Sequence, residues 1–174
     1  IEGEASFWMN KTLVVGNTAN QSVGAIGLGS SGVKWITNST ISGNDGPNAG
    51  GVQIWNGDVG VLNSILWNNT PANDYMNVGG GRALAIYSTI GGGWDGDGNL
   101  DSDPLFNDPD NGDFTLSQDS PCRDAGIADW DGDGVEDVTD YNGSAPDMGA
   151  FESQMAAPSN FFLFPSTCLL YTSP

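Results

Sequence analysis

Along the first half of the chain, apolar residues come in short runs that alternate with small or polar ones and are broken by Gly, Asn or Asp. "GAIGLGSSGVKWI" from Gly24 and "GGVQIWNGDVGVL" from Gly50 show the pattern well. A period of two is the mark of a strand with one face buried, and the period of an amphipathic helix is absent. The chain therefore reads as all-β.

The runs also repeat. "KTLVVGNT" from Lys11, "NSTISGND" from Asn38 and "NSILWNNT" from Asn63 superimpose, and "YSTIGGG" from Tyr87 fits more loosely. The alignment brings Asn17, Asn44 and Asn69 together at intervals of 27 and 25 residues. Several short strands per repeat at this spacing are a solenoid signature. Leucine-rich repeats share the length, but their dense leucine pattern is missing. The pattern predicts a right-handed parallel β-helix, with three short strands per coil and a hydrogen-bonded asparagine ladder at one turn. Val14, Ile26, Leu28, Ile41, Val52, Ile54, Leu66, Leu84 and Ile86 would point inward. A β-sandwich with coincidental self-similarity is the competing architecture.

Charge divides the 174 residues into three segments. Residues 1–93, the coils, carry five acids and three bases. Residues 94–152 carry seventeen acids and one base, and residues 153–174, an uncharged linker or tail, carry none. A net charge of −18 without histidine excludes binding to nucleic acid through its phosphates, which needs Lys and Arg. No apolar run approaches the length of a membrane span. Divalent cations are the partner that the charge suggests.

The quoted repeats resemble the coils of extracellular bacterial β-helix proteins of the pectate-lyase-like superfamily. The stretch from "DGDGNLDSDPLF" to "DMGAFE" resembles the closing segment of large bacterial surface β-helix proteins of the choice-of-anchor type. It supplies "DPLF" at Asp103–Phe106, "GDFTL" at Gly112–Leu116, "SPCRDAG" at Ser120–Gly126 and "DMGAFE" at Asp147–Glu152. The tail "APSNFFLFPSTCLLYTSP" is similar to the start of a type IX secretion sorting domain, without the usual Asn-Pro-Phe. These resemblances imply a fold and a secreted or bacterial cell-surface location, and they do not imply an activity. The chain starts at Ile1 and shows no signal peptide, so it reads as part of something longer. Its apolar N-terminal end would then expose unpaired strand edges and favour self-association.

The acidic segment holds two runs of alternating carboxylates. Such clusters are costly without a cation, since two charges about 4 Å apart repel by about 4 kcal/mol at an effective dielectric near 20. In "DWDGDGVEDVTD", Asp129, Asp131, Asp133, the carbonyl of Val135, Asp137 and Asp140 occupy the ligand positions of a twelve-residue calcium loop, with Gly134 at the turn. The spacing resembles a dockerin loop, but "VTDYNGSAPDMG" does not supply the helix a dockerin needs. In "DGDGNLDSD", Asp95, Asp97, Asn99, Asp101 and Asp103 alternate similarly, either as a second cation loop or as a solvated turn that closes the last coil. Oxygen donors without His or CxxC favour calcium, or another hard divalent ion, over zinc.

These residues leave three functions open. The first is a calcium-stabilised structural or adhesive end of a β-helix protein. The second is a metal-dependent hydrolase or polysaccharide lyase using the acidic loops. A Ser-His-Asp arrangement is excluded, and only Lys11, Lys34, Arg82 and Arg123 could act as basic partners. Lys34 and Arg82 are expected to be exposed beside the ladder. The third is a carbohydrate-binding module with Trp35, Trp55, Trp67, Trp94 and Trp130 in a strip. Cys122 and Cys168 would form either a disulfide or two free thiols.

Overall fold

The computed structural model describes residues 5–71, 75–77 and 81–154. Eleven of its strands wind into a parallel β-solenoid of about three turns. One sheet stacks β1 (Ala5–Asn10), β4 (Val33–Thr37), β7 (Val59–Leu62) and β10 (Ala83–Ile86). A second stacks β2 (Leu13–Val15), β5 (Thr40–Ser42), β8 (Ile65–Trp67) and β11 (Thr89–Ile90). The third holds β3 (Ile26–Leu28), β6 (Val52–Ile54) and β9 (Tyr75–Asn77). Every pairing within these sheets is parallel. The expected coil with three strands is therefore present.

The corners explain the polar part of the repeat. Between the first two sheets the chain turns on two residues: Lys11–Thr12, Asn38–Ser39, Asn63–Ser64 and Tyr87–Ser88. The first of each pair has a left-handed backbone, with φ between 44° and 48°, a region that Asn enters more readily than most side chains. The second supplies an acceptor to the coil before it. Ser39 Oγ accepts from the Thr12 N–H, Ser64 Oγ from Ser39, and Ser88 Oγ from Ser64, each at 3.1 Å. This serine ladder is not anticipated from sequence. The asparagine ladder is, and it runs from Asn17 Nδ2 to Asn44 Oδ1 and from Asn44 Nδ2 to Asn69 Oδ1, both at 2.9 Å. Each of these carbonyl oxygens also accepts a backbone N–H from the asparagine one coil earlier. Buried Asn44 and Asn69 thereby satisfy backbone that would otherwise be orphaned at a corner.

Ile36, Ile41, Val52, Ile54, Val59, Val61, Leu66, Ala85 and Ile90 fill the interior, with Val14 and Ile26 packed against them. Leu84 and Ile86 correct the expected list. Leu84 is 38% exposed and Ile86 half-buried, while Ala85 is fully buried. The reason is register: Ala83 and Ala85 lie beside inward Val59 and Val61, so the larger residues of "RALAI" face out. Trp94 packs against the same core. Lys34 is a second correction. It points inward with the parity of Ile36 and is fully buried. Its Nζ donates to the carbonyls of Ser30, Gly32 and Asn56, which meets all three of its N–H groups.

The acidic segment closes the solenoid in two ways. Residues 94–103 lie along the last coil as a further strand would: Tyr87 N–H donates to Asp97, Leu100 N–H to Ser88 and Ile90 N–H to Leu100. Asn99 Oδ1 accepts from Ser88 N–H and so continues the serine ladder. Beyond it, β12 (Phe106–Asp108) and β13 (Asp113–Leu116) form an antiparallel hairpin around a short 3-10 turn, with Phe106 edge-on to Phe114. The remainder runs back along the outer face of the second sheet. Ile65, Leu116, Cys122 and Met148 make a second small core there.

Candidate functional site

The loop from Asp129 to Asp137 is built by its own aspartates. Asp129 takes the N–H groups of Gly132 and Gly134, one on each oxygen, at 2.8 and 2.9 Å. Both glycines have left-handed φ, +75° and +89°, which side chains rarely adopt. Asp131 accepts from Asp133 N–H, Asp133 from Val135 N–H and Asp137 from Trp130 N–H. At the neck, Asp137 and Val138 both donate to Ala128 O. The result brings carboxylate oxygens of Asp129, Asp131 and Asp137 within 4.8 Å of one another.

The other expected ligands divide. Asp133 spends one oxygen on its own turn. Val135 is exposed at 67% beside it. Asp140 stands apart from the three aspartates and forms an ion pair with Lys11 at 2.7 Å. That contact holds the Asp140 carboxyl below the usual carboxylate range, chiefly through the hydrogen bond. In the earlier loop, Asn99 is engaged by Ser88, Ala85 and Trp94, Asp101 accepts from Gly92 N–H, and Asp103 accepts from Leu105 N–H. Asp95 and Asp97 are exposed. Among the described residues no three carboxylates gather there, and the stretch lies against the last coil through Asp97, Asn99 and Leu100.

The segment carrying the loop is fastened to successive coils. Lys11 on the first coil holds Asp140. On the second, Thr40 Oγ1 accepts from Ala150 N–H at 3.0 Å. On the third, Asn63 exchanges two hydrogen bonds with Ile127 through its side chain, both at 2.9 Å, and accepts from Gly149 N–H through its carbonyl. On the fourth, Thr89 Oγ1 meets Cys122 Sγ and Met148 Sδ. Cys122, Met148, Gly149 and Ala150 of these contacts belong to the "SPCRDAG" and "DMGAFE" runs. A methyl group on Gly149 would press on Ile65 and Thr40, and one on Gly126 on Asn63 and Pro146. Buried Asp147 accepts from the N–H groups of Asp124 and Ser153. Its proximity and, above all, burial raise the pKa of Glu152, which accepts from Asn142 and Asp147 N–H.

The tryptophans do not form a strip. Trp67 packs on the flank core, Trp94 on the interior, and Trp55 lies over Gly27. Trp35 folds over Gly60 and meets Trp130 of the acidic loop, with ring centroids 5.4 Å apart and planes tilted by 47°. Trp8 completes a cleft with them, bordered by Asp137. Sequence reasoning missed Trp8, although it pairs directly with Trp35 one coil on, at the 27-residue spacing of Asn17 and Asn44. Cys122 is a buried free thiol whose ionisation is suppressed mainly by burial, and Cys168 lies outside the described residues.

Comparison with family models, curated proteins and solved structures finds no match.

Proposed function

We propose that the chain is a structural β-solenoid whose acidic closing segment is a lateral clamp reinforced by calcium. One observation carries this reading: a single segment, residues 122–150, bonds to Lys11, Thr40, Asn63 and Thr89 on four successive coils. A solenoid coil contacts only its neighbours, so a tie along the axis directly couples coils that are not adjacent. Asp129, Asp131 and Asp137 would hold the ion, which supplies the positive charge their grouping lacks. Hard oxygen donors on an exposed loop suit the weak calcium sites of extracellular modules. The bacterial surface location implied by the closing-segment resemblance agrees with that setting.

A metal-dependent lyase would need a basic group beside the cluster. Lys34 is buried on carbonyls, Lys11 and Arg82 are paired with Asp140 and Asp58, and Arg123 donates to Gln154 O. The structural reading is therefore preferred. Thermal unfolding in chelator and in increasing calcium tests it. Calcium should stabilise the chain by about 2.7 kcal/mol at a hundredfold excess over its dissociation constant, and Asp131→Asn should remove the effect. An unfolding midpoint indifferent to calcium would exclude the cation.

A further inference from the structure

We propose that the cleft between Trp8, Trp35 and Trp130 binds a trimethylammonium group. The cleft encloses about 300 Å³ and is lined in addition by Leu62, Val138, Asn10, Thr37, Asn38 and Asp137. Trp8 and Trp35 are register partners on neighbouring strands of the same sheet, and Trp8 is 70% exposed. Trp130 reaches them from the acidic loop, and its 47° tilt to Trp35 makes a corner, not a flat platform. The three indoles border one cleft, and aromatic rings grouped around a common volume are how cations are held by aromatic cages.

Charge selects the same class. Among the described residues that line it, Asp137 is the charged one and none is basic, and carboxylate oxygens of Asp129 and Asp131 lie within 4.8 Å of that of Asp137. Such a wall attracts a cation and repels phosphate, sulfate or uronate groups. Several of the remaining polar atoms are engaged with one another. Trp8 Nε1 donates to Thr37 Oγ1, which in turn contacts Asn10 Oδ1, and Asn38 Nδ2 donates to that same oxygen. A ligand that needs many hydrogen bonds would have to compete with these contacts. A methylated ammonium is weakly hydrated and needs none.

Calorimetric titration with tetramethylammonium and choline at low ionic strength, run both in chelator and in saturating calcium, tests this, and absence of binding in both conditions overturns it whatever the outcome of the calcium reading. Saturable binding is expected, weakened about tenfold or more in Trp8→Ala and Trp130→Ala. The exposure of Trp8 makes its variant safe for folding, and a melting curve for each variant checks this. Choline should bind at least about tenfold more tightly than its neutral isostere 3,3-dimethylbutan-1-ol. Equal binding of the isostere, affinity unchanged in both variants, or binding of neutral glucan oligomers in place of tetramethylammonium would each overturn the assignment. Phosphatidylcholine vesicles run in parallel tell a lipid head group from a free solute. Retention on vesicles without affinity for choline would likewise overturn it.

Discussion

Lys11 Nζ and the carboxylate of Asp140 meet at 2.7 Å although 129 residues separate them in the chain. The contact joins the first described coil to the loop that follows the aspartate cluster, and Lys11 also donates to the Asp140 carbonyl. It occupies a carboxylate that spacing alone assigns to the cation.

Asp140→Asn should loosen residues 137–150 while leaving the coils folded, read as faster amide exchange in that segment. Both partners are solvated, so the effect should shrink in high salt. The pKa of Asp140 is lowered in the fold, so its stabilising contribution is present above the unfolded pKa and is lost as pH falls through the folded one. Glu152 acts in the opposite sense. Its raised pKa favours the fold at low pH and withdraws that contribution as pH rises through the folded value. Exchange in this segment should therefore respond to acid differently in Asp140→Asn and Glu152→Gln.

Asn44→Ala should be the costlier of two ladder substitutions. Asn44 is buried, serves Asn17 through its oxygen and donates to Asn69, Val14 and Ser42. Unsatisfied buried groups cost about 1–3 kcal/mol each before relaxation, so a loss of about 3 kcal/mol in chemical denaturation is expected. Asn17→Ala, at an exposed position, should cost about 1 kcal/mol or less.

Gly60→Ala should disturb the cleft from beneath. A methyl group there would overlap the Trp35 ring, which would have to leave its seat and carry Trp130 with it. Overpacking of this kind costs about 1–3 kcal/mol. Near-ultraviolet circular dichroism should show loss of the tryptophan signal, and an unchanged spectrum would mean that Trp35 does not lie on Gly60.

Cys122 should resist thiol reagents in the native state. Its thiol is fully buried, bonded to Thr89, and held in the protonated form mainly by desolvation. In a Cys168→Ser background, modification by a thiol-specific disulfide reagent should follow the rate of unfolding of the flank, and rapid labelling of Cys122 at neutral pH would contradict the packing.

Much of the architecture was legible because a coil repeats its corner chemistry. Asn17, Asn44 and Asn69 announced the ladder, and Cys122, Met148, Gly149 and Ala150 of the "SPCRDAG" and "DMGAFE" runs are among the residues that touch the coils. What failed did so for nameable reasons. In "RALAI" both parities are apolar, so alternation could not say that the alanines face inward. Lys34 looked like a surface lysine because backbone carbonyls, which have no sequence signature, receive its ammonium. The alternating aspartates do bring Asp129, Asp131 and Asp137 together, but spacing could not foresee that Lys11 pairs with Asp140. Trp8 was overlooked because its significance lies in register with Trp35, not in its neighbours along the chain.

The most direct test of the clamp is hydrogen exchange of the wild-type chain in calcium and in chelator, followed at β5, β8 and residues 122–150. Cation-reinforced coupling predicts that calcium slows exchange in the closing segment and in the coil amides it covers together, and that Asp131→Asn abolishes both changes. Exchange that is identical with and without calcium, or slowed at the loop alone, would contradict it.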